Sequence, residues 1–239
     1  IHQGSPFCWP QQYGKLRHDC HALQLPCPGE EILLQEMARL SGSGSGIAKI
    51  MVTRGFGERG YAPPLCSNPT RVVSFHAAPV YDATFDIEGV APHLCALRLS
   101  RQPRLAGIKH LNRLENVLAA AECQAVGAVE GLLEDEDGFV ISGTRSNVFA
   151  VKAGRLTTPD LSASGVAGVQ RDRVIAWAEQ HGVQCTIARL RLGDLLQAEE
   201  IFLVNSVFGL WPVAALQDKV FSQRQMSLAI QSWLKDAQN

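Results

Sequence analysis

Three stretches of this chain hold residue types whose spacing could do chemistry. The first is "RLAGIKHLNRLENVLAAAE", residues 104–122. A turn-like run ends in Gly107 and Lys109 follows. Leu111, Leu114, Leu118 and Ala121 then recur at helical spacing as one apolar face. The spacing predicts a helix over 110–122, with Lys109 just ahead of it and beside apolar Leu105 and Ile108. A lysine next to apolar groups loses part of its preference for the charged form, and a neutral amine attacks a carbonyl to form a Schiff base. Lys109 is therefore a candidate covalent anchor for an aldehyde cofactor. The bland alternative is a solvated lysine flanking a helix, which most lysines are.

The second stretch, "SGVAGVQRD" (164–172), places glycines immediately before a helix. Backbone N–H groups at a helix N-terminus, here around Val169 and Gln170, make an anion site; an ordinary glycine-containing helix start is the alternative. The third, "LVNSVFG" (203–209), is a buried strand that ends in Asn205-Ser206 before a glycine, offering hydroxyl and N–H donors or a plain strand-end turn. Together the three would serve a phosphorylated aldehyde, its carbonyl on Lys109 and its phosphate on two N–H-rich loops.

The elements that must position these residues can be read in outline. "HQGSPFCW" reads as the second arm of a hairpin, and "QYGKLRHDCHAL" and "GEEILLQEMARL" as two amphipathic helices separated by Pro26 and Pro28. "SGSGSG" (41–46) is a flexible connector within one domain. "IAKIMVTRG" and "TRVVSFHAAPV" read as strands around a Gly- and Pro-rich loop, and 81–90 as a linker. Beyond it, "HLCALRLS" is a strand, followed by short strands near 128–133, 139–142, 147–152 and 155–158. "VQRDRVIAWAEQHG" is a helix stopped by Gly182, "VQCTIARL" a strand, "LGDLLQA" a short helix, "EIFLVNSV" a buried strand, and 222–238 a final helix. "EDED" (134–137) reads as a solvated turn before Gly138. Many strands with helices set apart indicate an α+β fold in two lobes: a smaller domain over 1–82 and a larger one over 83–239 that carries Lys109.

The bulk properties narrow the function classes. The chain has 239 residues, 46% hydrophobic and 19% charged, with net charge -1 and no basic run, so no nucleic-acid footprint is visible. No apolar run approaches the ~18 residues that span a bilayer. Seven widely spaced cysteines without a C-x-x-C indicate neither a zinc site nor a disulfide framework. Reduced thiols in a cytoplasm are the expectation.

"LAGIKHLNRLENVLA" closely resembles the cofactor-lysine segment of the aminodeoxychorismate lyases. These are a branch of the fold-type IV pyridoxal-phosphate enzymes, which also include branched-chain and D-amino-acid aminotransferases. "TRGFGERGY", "DGFVISGTRSNVF", "GVAGVQRD" and "NSVFGLWPV" follow in that family's order. The resemblance implies pyridoxal 5'-phosphate on Lys109 and conversion of 4-amino-4-deoxychorismate to 4-aminobenzoate and pyruvate, a step of folate biosynthesis. It also implies a homodimer. Gly168, Val169 and Gln170 would hold the phosphate, with Ser206 and Val207 on the second loop. Lys15 stands where the family usually has an arginine on the phosphate; a lysine neutralises phosphate only as a point charge. Arg59, with Arg54 and Tyr61 in the same loop, or Arg145 would meet substrate carboxylates.

Two departures matter. Where the family pattern has the glutamate that pairs with the pyridine nitrogen, this chain has Ser142. A serine favours the neutral ring and a weaker electron sink, which argues against transamination. The family's opening hairpin and its "D-R-x-x-x-Y-G-D-G-x-F-E-T"-like segment are also absent, so the chain is expected to lack roughly 30 residues in front. Other readings of the same residues are a fold-type IV aminotransferase, a pyridoxal-phosphate-binding protein without turnover, or an unrelated α+β domain.

Overall fold

The computed structural model describes residues 1–65 and 67–236; Cys66 and the end of the expected C-terminal helix lie outside them. Backbone contacts divide the chain into two compact units, one spanning Ile1–Val80 and one beginning at Tyr81.

The first unit holds helices α1 (Trp9–Ala22) and α2 (Glu30–Ser41) and an antiparallel pair, β1 (Ile47–Thr53) and β2 (Thr70–His76). Pro10 in the first turn of α1 costs no hydrogen bond there. Leu33 and Met37 bury one face of α2, and Glu36 on another face holds Arg71 of β2 through two bonds of 2.8 and 2.6 Å. The expected hairpin arm at "HQGSPFCW" is not formed. His2 and Ser5 bond each other's backbone at 2.8 and 2.9 Å, with Gly4 at φ 80, so the segment closes on itself as a tight turn.

The second unit holds β3 (His93–Leu99), α3 (Leu114–Ala125), β4 (Gly131–Asp135), β5 (Val140–Gly143), β6 (Asn147–Lys152), β7 (Arg155–Pro159), α4 (Val169–Gln180), β8 (Cys185–Ala188), α5 (Leu192–Leu196), β9 (Glu200–Asn205), β10 (Gly209–Pro212), β11 (Ala215–Leu216), β12 (Lys219–Val220) and α6 (Gln225–Asp236). One sheet runs β10-β9-β6-β7-β8 and another β3-β4-β5. Two neighbouring pairs are parallel, β3 with β4 and β7 with β8. Parallel neighbours cannot be joined by a tight turn, so α3 and α4 serve as their crossovers.

β6 lies at the centre of the larger sheet, and its alternation builds the core. Val148 and Ala150 join Ile201, Leu203 and Trp211 on one face. Phe149 and Val151 join Phe202, Val204 and residues of α4 and α6 on the other. Both faces are covered, which is why "VFAV" and "IFLV" are continuous apolar runs. Phe149 stacks on Phe202 with ring centroids 5.1 Å apart. Buried Glu200 accepts from the amides of Met226 and Ser227 at 2.9 Å each, capping the start of α6.

Two expectations are corrected here. The stretch 81–90 is not a loose linker: Tyr81 and Phe85 pack edge-on against buried Trp211 at 4.8 and 5.3 Å, and Val90 bonds Pro212 and Ala214. "EDED" is a solvated turn only in its second half, where Glu136 and Asp137 are exposed ahead of Gly138. Glu134 and Asp135 are buried at the end of β4, where Arg98 and Arg101 pair with them and Asp135 Oδ1 accepts from the amides of Asp137 and Phe139.

Helix α3 is docked by its polar residues. The pairing of β3 with β4 shifts register between Leu94 and Arg98, leaving amides there without strand partners. The Glu122 carboxylate accepts from Ala96 N–H at 2.6 Å and Leu97 N–H at 3.0 Å, and Glu115 accepts from Ser100 N–H at 2.9 Å. Small Ala119 and Cys123 face inward. Sγ of Cys123 lies 3.8 Å from that of Cys95, whose thiol burial pushes up to about 12. The apolar face read from the sequence is thus the outward one: Leu111, Leu114 and Leu118 are 60%, 71% and 59% exposed. Replacing Glu122 with Ala leaves two strand amides unpaired; chemical denaturation should register a loss of about 2 kcal/mol, and an unchanged midpoint would mean that packing alone docks α3.

Candidate active site

Each crossover begins at the carboxyl end of a parallel strand, where open α/β units gather ligands. The loop after β3 carries Gly107 and Lys109; the loop after β7 carries Ser164 to Gly168. The two loops are stitched together. Gly107 N–H donates to Gly165 O and Ala167 N–H donates to Gly107 O, both at 3.0 Å, forming a parallel bridge between Gly107 and Val166. Gly107 takes φ 76, a left-handed conformation that an L side chain rarely adopts.

Beyond this bridge Ile108 turns inward and is buried, Leu105 is half-buried, and Lys109 turns outward and is exposed. The apolar neighbours anticipated for Lys109 therefore anchor the loop rather than enclose the amine. The Arg113 guanidinium folds back onto the carbonyls of Ile108 and His110. It brackets Lys109 from both sides and holds 108–113 as a loop, so α3 starts at Leu114 and not at residue 110.

Helix α4 opens with Gly168 as N-cap, at φ -81 and ψ 148, and no side chain caps its amides. A serine, asparagine or aspartate here would fill that role. Val169 and Gln170 are buried, and among the described residues no backbone acceptor is paired with their N–H groups. Buried Arg171 in the same turn donates to Pro159 O at 3.2 Å and pairs with Asp172 at 3.5 Å, so its charge is partly balanced there; burial lowers its pKa without removing its charge. An anion fits this end on both counts.

The third stretch ends at the same edge of the sheet. Asn147 at the start of β6 is the register partner of Val204, so Asn205 lies next to the loop that precedes β6. Asn205 Oδ1 accepts from the amides of Val207 and Phe208, both at 2.8 Å, and its Nδ2 donates to Arg145 O at 3.3 Å. The Val207 amide is therefore engaged inside the turn. A ligand at this turn would meet the exposed Ser206 rather than that N–H.

The loop 144–146 is shaped by Glu130, which is fully buried. Its carboxylate accepts from the amides of Gly131 and Thr144 at 3.0 and 2.8 Å, from both loop hydroxyls, Thr144 and Ser146, and lies 3.5 Å from Arg145 Nε. Arg145 also donates to Val129 O at 2.7 Å and sits over the Tyr81 ring, with its side chain about half exposed. Ser142, buried on β5, donates its hydroxyl proton to Gly143 O at 2.9 Å. Lys15 and Arg59 belong to the first unit: Lys15 pairs with Asp19 at 2.6 Å, and Arg59 is exposed in the β1–β2 loop.

Asn147, Glu130 and Arg113 escape sequence reading. Their signals are faint: an acid ahead of the apolar strand "GLL", an asparagine opening the run "VFAV", and an arginine four residues past the lysine. What the arrangement can do is clear in kind. A reachable amine and an uncapped, buried helix end sit on two loops joined by a double hydrogen bond. They can hold a carbonyl at one end of a small molecule and an anionic group at the other.

Known proteins resemble this chain over most of its length. A family model described as amino-transferase class IV matches residues 1–216. An aminodeoxychorismate lyase from Vibrio harveyi is 35% identical over 210 residues, covering 87% of this chain and 77% of that protein. The crystal structure of 4-amino-4-deoxychorismate lyase from Pseudomonas aeruginosa superposes with a TM-score of 0.93 at 40% identity, over 99% of this chain and 87% of that one. The crystal structure of the branched-chain amino acid aminotransferase from Escherichia coli superposes with a TM-score of 0.85 over 98% of this chain and 80% of that one; at 20% identity this is a likeness of fold. With the family model spanning most of its length and a lyase relative at 35% identity, the chain belongs to the amino-transferase class IV family.

Proposed function

We propose that this chain is a pyridoxal-phosphate-dependent lyase that converts 4-amino-4-deoxychorismate to 4-aminobenzoate and pyruvate. The observation that carries the reading is the double hydrogen bond between Gly107 and residues 165–167. It mounts Lys109 and the amides of Val169 and Gln170 on one clasp, as a phosphorylated aldehyde requires. Similarity to two lyases at 35% and 40% identity supports the choice of reaction.

In this reading Lys109 Nζ holds the cofactor's aldehyde carbon, and Gly168, Val169 and Gln170 hold its phosphate with Ser206 on the neighbouring turn. The bound cofactor supplies an electron sink. With the cofactor held there, Lys109 Nζ would be the group placed to accept the proton from the substrate's ring carbon that bears nitrogen. The same amine can then protonate the departing enolpyruvyl oxygen. Gain of an aromatic ring drives the reaction forward, so a strong sink is not needed. Ser142 suits that case. Its proton is already donated to Gly143 O, and no carboxylate at this position keeps the ring nitrogen protonated. Within the second unit we assign a substrate carboxylate to Arg145.

We also infer a homodimer. The exposed face Leu111, Leu114, Val117 and Leu118 bears no charge, because both acidic residues of α3 are turned inward onto β3. A charge-free apolar face is self-complementary, as a two-fold contact requires. No described helix is long and apolar enough to cross a membrane. Folate biosynthesis in the cytoplasm follows as the expected setting.

Cofactor-loaded protein should release 4-aminobenzoate from aminodeoxychorismate, and Lys109→Ala should lower that rate about ten-thousand-fold; release by the variant at the wild-type rate would sink the assignment. Borohydride reduction followed by peptide mass spectrometry should find the cofactor's mass on Lys109. Ser142→Glu should raise keto-acid formation from added amino acids several-fold while slowing the lyase reaction; unchanged rates for both would remove Ser142 from the argument. Leu118→Glu should convert a dimer to a monomer in analytical ultracentrifugation, and a wild-type monomer at micromolar concentration would refute the dimer.

A further inference from the structure

We propose that Asn147 is a positioning residue that sets the phosphate-binding end of α4 relative to Lys109; the inference rests on the cofactor reading above. Asn147 opens the central strand β6 and is buried. Both ends of its side-chain amide are committed to the segment just before α4. Its Oδ1 accepts from Gly168 N–H at 3.2 Å and its Nδ2 donates to Val166 O at 2.8 Å. Val166 is the residue bridged to Gly107. The segment 165–168 is therefore gripped from two sides, by the sheet's central strand through Asn147 and by the lysine loop through Gly107.

The grip also explains the glycine at the N-cap. A Cβ at position 168 would come within 2.4 Å of Asn147 Oδ1. A capping side chain at this position would have to displace the Asn147 amide from its two hydrogen bonds. With Gly168 N–H directed to Asn147 and no cap in place, the amides of Val169 and Gln170 are left for a ligand. One side chain fixes where the helix starts, keeps its end open, and ties that end to the loop carrying Lys109.

The experiment compares binding of pyridoxal phosphate with binding of pyridoxal, which lacks the phosphate, by equilibrium dialysis and tryptophan fluorescence. Asn147→Ala removes both bonds. Asn147→Asp keeps an acceptor for Gly168 N–H, loses the donor to Val166, and brings negative charge near the phosphate. Asn147→Ser leaves a smaller gap than alanine and stands in if the alanine variant does not fold. The selectivity for the phosphorylated aldehyde should fall about tenfold or more in each, while affinity for pyridoxal stays within about twofold. Loss of affinity for both aldehydes in step, tracking a lowered thermal midpoint, would reduce Asn147 to a structural residue and overturn the proposal; so would unchanged selectivity. Wild type that binds neither aldehyde would refute the cofactor reading itself. The clasp is then judged with inorganic phosphate: a rise in thermal midpoint for wild type and none for the variants supports it, and equal rises overturn it.

Discussion

The second unit is organised around the double hydrogen bond between Gly107 and the segment 165–167. Two crossovers that are far apart in sequence leave their strands at carboxyl ends, and these two bonds join their loops. Neither loop alone could define a site. The lysine loop has an exposed amine, and the loop before α4 has a buried helix end with open amides. Joined, the two loops hold a fixed relation to each other. Glycine at 107 is what allows the backbone to turn through the left-handed region at the bridge.

Carboxylates, two of them buried, terminate backbone elsewhere in this unit. Glu130 gathers the amides and hydroxyls of the loop before β6, Glu200 caps α6, and Glu122 closes the irregular stretch of β3. Each sits where strand or helix hydrogen bonding stops short. A charged acceptor makes stronger bonds to such amides than a neutral one, and unpaired amides in the interior are costly. Asn147 and Asn205 do the same job with neutral amides at the edge where an anion is expected, where a carboxylate would repel it.

Helix α3 shows how a correct pattern can be assigned to the wrong side. Its leucines recur at helical spacing, which ordinarily marks the face toward the core. Here the register shift in β3 creates a demand for acceptors that only glutamates can meet, so the polar side turns in and the leucines turn out. The inversion leaves a hydrophobic surface directly after the lysine loop, and it is the physical basis for expecting a second copy there.

By itself the sequence determined most of the element order. Strand alternation, glycine stops and proline breaks are local properties, and β1 through β9 and α6 appear close to where those properties put them, while the short strands β10, β11 and β12 went unread. Chemistry legible from residue type was also local: an amine after Gly107, open amides at the start of α4, a serine where a carboxylate is usual. The tertiary structure alone decided which of these meet. The bridge between Gly107 and Val166, the grip of Asn147 on Gly168, the burial of Glu130, and the outward turn of α3 all join residues remote along the chain. The same distance explains why 81–90 read as a linker and Glu134 and Asp135 as part of a solvated turn: their partners, Trp211, Arg98 and Arg101, come from other strands and loops. Periodicity reports which side of an element is apolar; only the hydrogen-bonding needs of the neighbouring element decide which side faces it.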